Sequence, residues 1–170
     1  PRFEVISVKN DWAATLKNTS TVADVSSTKL RQLEYWQNLC TYIRSKDQQI
    51  KLQTPAPQHW LSFSMGNSIS HIALTVHTQK QRLGCELYIS NDKVLFAYLN
   101  DNYEEIKEQL GCDFSWFEGK VAAGLGVYES VSDIFDETKM EDYFEWMYSN
   151  VLLFKKVFSP YISKYREETR

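Results

Sequence analysis

The chain has few of the residues that would let cross-links or metals hold it together. Its three cysteines, Cys40, Cys85 and Cys112, are odd in number and contain no CxxC pair. That argues against a disulfide framework or a zinc knuckle and fits a reducing cytoplasm. Only six glycines and four prolines punctuate 170 residues, too few for a low-complexity or collagen-like chain. No apolar run approaches the roughly 20 residues of a membrane helix, and Pro1-Arg2-Phe3-Glu4-Val5 has neither the basic nor the apolar region of a signal peptide. Opening on Pro1, the sequence is expected to begin inside a longer protein. Basic residues are not in excess either. Nineteen Lys and Arg against 22 Asp and Glu give a net charge of −3, without the strongly basic surface of a self-sufficient nucleic-acid binder. Two local clusters, Lys155-Lys156 with Lys164 and Arg166, and Lys29 and Arg31 with Arg44 and Lys46, read as solvated helix faces before they read as phosphate sites.

Aromatic residues are what the chain has in quantity. Five Trp, ten Tyr and nine Phe make 14% of it. At about 25 cal/mol per Å² of buried apolar area, such side chains build a core unaided. Residues 1–25 read as an N-terminal strand, centred on Phe3 to Val8, and a linker; residues 26–170 read as a single domain. Ser26-Ser27-Thr28 offers caps to a helix whose Leu30, Leu33, Trp36, Cys40 and Ile43 recur at three- and four-residue steps, with Gln32 and Glu34 off that face. Pro55-Ala56-Pro57 then stiffens the approach to three short strands, Trp60 to Met65, His71 to Thr78 and Arg82 to Ser90, joined by turns short enough to force an antiparallel meander.

Asp92 caps one long helix to Leu110, with a weak centre at Asn100-Asp101-Asn102 and a stop at Gly111. One or two strands follow, around Phe114 to Trp116 and Leu125 to Tyr128. From Thr138, Met140, Phe144, Met147, Val151, Phe154 and Phe158 mark a long C-terminal helix, which Ser159-Pro160 either kinks or divides. The fold class is therefore α+β, with helices on one face of an antiparallel sheet.

Alternation along the meander separates a greasy face from a mixed one. The mixed face carries Trp60, Ser62, Ser64, His71, Thr75, His77, Arg82, Glu86 and Tyr88, a set in which aromatic rings beside polar groups suit stacking on a base or seating a peptide. The simpler expectation is that the C-terminal helix covers Trp60 and Tyr88. No catalytic set emerges. His71 and His77 are six residues apart on one strand, about 20 Å at 3.3 Å per residue, too far for one metal. Gly124-Leu125-Gly126 lacks the Lys-Ser/Thr of a phosphate loop. No cofactor or metal is expected.

The order helix, three antiparallel strands, helix, strand resembles the core of restriction-endonuclease-like nucleases. That likeness implies carboxylates on the second and third strands and a lysine two residues after the latter. Here Glu34 on the first helix and Glu86 on the third strand would be its carboxylates, but the second strand has none and Tyr88 stands in the lysine's place. Several stretches also resemble the DUF4268 domain, a family of bacteria and archaea. They are Phe3-Glu4-Val5-Ile6 with Asn10-Asp11-Trp12, Leu33-Glu34-Tyr35-Trp36, Pro57-Gln58-His59-Trp60 with Phe63 and Gly66, Arg82-Leu83-Gly84-Cys85-Glu86-Leu87-Tyr88-Ile89, and Phe154 with Val157-Phe158-Ser159-Pro160. The likeness implies an upstream nuclease-like domain and an association with DNA, and it assigns no catalytic residue to this part. Three readings follow: a non-catalytic recognition or accessory domain; a protein-interaction domain forming a homodimer through the C-terminal helix; and a noncanonical metal-dependent nuclease using Glu34 and Glu86. None involves a membrane.

Overall fold

A computed structural model describes residues 27–169. The strand expected at Phe3 to Val8 lies outside the described residues. Helix α1, Ser27–Lys46, buries Leu33, Trp36, Cys40 and Ile43 as its periodicity predicts. The buried arc is wider than expected and turned toward Tyr35: Leu30 at the first turn is 40% exposed, whereas Gln32 is buried. The cause is a second partner on that flank. The Tyr35 ring meets Phe144 edge-on at 5.2 Å, and its hydroxyl donates to Met147 Sδ at 3.7 Å.

Strands β1, Trp60–Ser64, β2, Ser70–His77, and β3, Arg82–Ser90, form the expected meander. Gly66, at φ 74°, makes the first turn, and Asn67 Oδ1 accepts from the Ile69 and Ser70 amides at 3.0 and 2.8 Å. The expected single helix from Asp92 to Leu110 is two, α2, Lys93–Asp101, and α3, Tyr103–Leu110. Periodicity runs through the break, but Asn102 leaves helical geometry and turns its amide back onto the Tyr98 carbonyl at 2.7 Å. Asp92 does cap α2, accepting from the Leu95 amide at 2.9 Å, and Gly111 ends α3 at φ 65°.

Strands β4, Ser115–Glu118, and β5, Ala122–Ser130, complete a five-stranded sheet of order β1-β2-β3-β5-β4, every neighbouring pair antiparallel. Helix α4, Met140–Glu168, is continuous through Pro160, which is exposed; neither a second helix nor an end occurs there. Phe144, Met147, Val151, Phe154, Phe158 and Val157 are all buried. They join a single core with Leu61, Phe63, Ile72, Leu74, Leu83, Cys85, Leu87, Leu125 and Val127. The helices thus share the greasy face, and α4 does not cover Trp60 and Tyr88. Trp60 is 38% exposed. The apolar stripe of α4 is core, while on its flank Trp146 and Leu153 are only partly buried and Leu152 is exposed.

Candidate functional site

The register lays the face opposite the helices out in rows. Trp60 pairs with Thr75, Thr75 with Gly84, and Gly84 with Tyr128. Ser62, Ala73, Glu86 and Gly126 form the next row, followed by Ser64, His71, Tyr88 and Gly124. Cross-strand partners share a face, so the nine residues expected together do stand on one surface.

They divide into three groups. Trp60, His71, Thr75, Glu86 and Tyr88 line one hollow of about 380 Å³, together with His59 and Ala73. Its floor is the pair Ala73 and Glu86, and one wall is His71 and Tyr88, whose rings lie 4.9 Å apart and 30° from parallel. Trp60 and Thr75 stand on the other side, one row away in the opposite direction, with the His59 ring 4.8 Å from that of Trp60. Ser62 and Ser64 line a neighbouring hollow with Lys51, Asn67 and Ser68, and His71 is common to both. His77 and Arg82 pair at the far end of the strands. His77 Nδ1 accepts from the Lys80 amide at 3.3 Å, within the turn.

Glu86 is held from one side. The Tyr128 hydroxyl donates to Glu86 Oε1 at 3.0 Å, and the Arg82 guanidinium lies 4.1 Å over the Tyr128 ring. Tyr128 can lie across the sheet because Gly84 and Gly126 leave room beneath its ring. Burial pushes the Glu86 carboxyl above its ordinary value, partly offset by the Tyr128 hydroxyl, Arg82 and His59, while burial pushes His71 below its ordinary value.

The sign of the Glu86 linkage follows directly. A carboxyl that holds its proton more tightly in the folded state favours folding at low pH. That contribution is fully present below the ordinary value of 4.5 and is lost as pH rises through the raised folded value. Glu86→Gln keeps an acceptor for Tyr128 and removes the titration. Its stability profile, measured by urea midpoints from acid to neutral pH, should therefore gain on the wild type as pH rises above 4.5. Parallel profiles would show that the carboxyl titrates as it does in the unfolded chain.

Glu34 is not brought to Glu86. It lines a separate hollow with Arg31, Tyr35, Phe135 and Glu137, on the helical side of the sheet. Among the described residues, no three His, Cys, Asp or Glu side chains are grouped to hold a metal ion. Cys40 and Cys85 are buried and Cys112 is exposed, as their positions predict. Three residues at the site were not among the nine candidates: His59, Ala73 and Tyr128. His59 precedes β1, but its carbonyl accepts from the Val76 amide at 2.9 Å, which extends the ladder by one residue. Tyr128 follows Gly124 and Gly126 at two-residue steps, and that alternation was the available signal for one shared face.

Among the described residues, no helix is long and apolar enough to cross a membrane. No curated protein and no solved structure matches this chain. A family profile described as "Domain of unknown function (DUF4268)" matches residues 31–162, from α1 through β1–β5 into the second half of α4. The chain therefore belongs to the DUF4268 family.

Proposed function

We propose that this is a non-catalytic recognition domain that takes its ligand on the open sheet face. The observation that carries this reading is the hollow itself. With α4 on the opposite face, Trp60, His71, Glu86 and Tyr88 surround a cavity of small-ligand or side-chain size. Aromatic walls around one oriented carboxylate suit capture of a flat or donor-bearing group. Bond cleavage lacks support: Tyr88 occupies the position where a nuclease lysine is expected, and Glu34 belongs to another surface.

In a longer protein this domain would position or capture while another part acts, which is the accessory role that the family resemblance implies. Duplex DNA is a poor occupant of the hollow, because no Lys or Arg lines it and Glu86 does. Dimerisation through α4 is the second reading; only the flank of Leu152, Trp146 and Leu153 is left to carry it, since the main stripe is core.

Two measurements test the proposal together. Incubated with linear, supercoiled and single-stranded DNA and Mg²⁺ or Mn²⁺, the domain should give no turnover above a Glu34→Ala/Glu86→Ala variant. In a protein-observed NMR screen of small aromatic and cationic fragments, hits should cluster on Trp60, His71 and Tyr88. Cleavage abolished by the double variant would sink the non-catalytic reading. Hits confined to the hollow beside Trp146, lined by Leu83, Lys139 and Tyr143, would move the site elsewhere.

A further inference from the structure

We infer that the hollow receives the guanidinium of an arginine side chain presented by a partner protein. The inference rests on the open-face recognition reading and names its ligand. Glu86 supplies the charge. Its Oε1 accepts from the Tyr128 hydroxyl, and Glu86 lines the hollow, paired in the ladder with Ala73. Among the described residues, no Lys, Arg or His lies within ion-pair distance of it. Arg82, two rows along the ladder, is turned onto the Tyr128 ring. Tyr128 thus contacts both the Arg82 guanidinium and the carboxylate, and Arg82 and His59 act on Glu86 without an ion-pair contact.

The walls supply the shape. Tyr88, tilted against His71, and Trp60, edge-on to His59, line the hollow, and aromatic rings attract cations, arginine most of all because its planar group stacks as well as donates. Ala73 is the smallest residue lining the hollow, and it leaves depth where a larger residue would fill the floor. Charge complementarity selects among occupants. A phosphate or carboxylate would meet Glu86 with no lining Lys or Arg to offset it, whereas a guanidinium would find an acceptor. The chain's net charge of −3 points the same way.

The test uses the whole chain, isotope-labelled, titrated by two-dimensional NMR with N-acetyl-arginine methylamide. The citrulline counterpart, of the same shape without the charge, is the control, and a short oligothymidylate is a third probe. The arginine probe should shift the Trp60 indole and Tyr88 signals, weaken as salt rises, and bind on the order of tenfold more tightly than citrulline. Glu86→Gln should erase that preference while keeping the Tyr128 hydrogen bond. Ala73→Leu should abolish the shifts with the carboxylate intact. Equal binding of arginine and citrulline, or unchanged affinity in Glu86→Gln, would overturn the inference. Shifts of Trp60 and Tyr88 by oligothymidylate alone would also overturn it, but would leave open-face recognition standing. If no probe moves either residue, the arginine inference falls, and the fragment screen separately decides the parent reading.

Discussion

Replacing Gly124 with alanine should lower the melting temperature by roughly 10 °C, a large effect for one methyl group. Gly124 lies on β5 opposite Tyr88. A Cβ there would enter the space of the Leu87 carbonyl oxygen in the adjoining strand and stand 2.8 Å from Phe117 Cζ. The first of these neighbours is backbone of a strand hydrogen-bonded on both sides, so it cannot step away without unpairing β2 or β5. Overpacking of this kind costs about 1–3 kcal/mol, and a backbone collision belongs at the upper end. For a domain of this size, about 3 kcal/mol corresponds to roughly 10 °C.

Gly126 provides the internal comparison. Its Cβ would meet the Tyr128 hydroxyl at 2.6 Å and Glu86 Cγ at 3.0 Å, both parts of side chains that can move. Gly126→Ala should therefore cost less stability and instead displace Tyr128 from Glu86. Thermal unfolding of the two variants side by side decides the matter. Equal, mild losses would mean that β5 does not approach β3 as closely as described.

Trp36→Ala should cost about 4 kcal/mol, in the range of large aromatic deletions from a packed core. The indole is fully buried, and its Nε1 donates to the Gln58 carbonyl at 2.7 Å. That bond ties α1 to the Pro55–Gln58 approach, which delivers His59 and Trp60 to the hollow. Trp36→Phe separates the two roles. It keeps most of the volume but leaves the Gln58 carbonyl without its donor, a loss of about 1–3 kcal/mol. Urea denaturation gives the stabilities. Amide exchange at Val76, whose N–H is bonded to the His59 carbonyl at 2.9 Å, reports on the approach. Wild-type protection at Val76 in Trp36→Phe would show that the indole does not anchor this segment.

The meander was legible because β2 and β3 alternate strictly and their turns are short, so face and pairing follow from a period of two. The hollow's residues were legible as a surface for the same reason. The side taken by α4 was not, because Trp60 and Tyr88 offer aromatic area on the wrong face and periodicity describes a helix's stripe without naming its partner. What decides is continuity. Leu61, Phe63, Ile72, Leu74, Leu83, Leu87 and Leu125 form an uninterrupted apolar field, whereas Ser62, Ser64, Thr75 and Glu86 break up the other. The break at Asn102 was hidden by an apolar spacing that two short helices satisfy as well as one. The arc buried by α1 was misjudged on the Tyr35 side because Tyr35 packs on Phe144 and Met147 of α4, more than a hundred residues later.

Strand order also dictates a sequence of events as the chain is made. β5 is the last strand translated, yet it lies between β3 and β4. The β1–β2–β3 meander therefore emerges with one edge of β3 unpaired, and residues 91–121 must follow before its partner arrives. At about 5–20 residues per second, this leaves roughly 2–6 s in which an edge bearing Leu83, Cys85, Leu87 and Ile89 is open to another nascent chain. The β4–β5 hairpin, closed by a 2.8 Å bond from the Gly119 amide to the Ala122 carbonyl, can form locally and dock as one piece. Premature termination within α2 or α3 would release a chain with its central strand bare, and a quality-control system would have to clear it quickly.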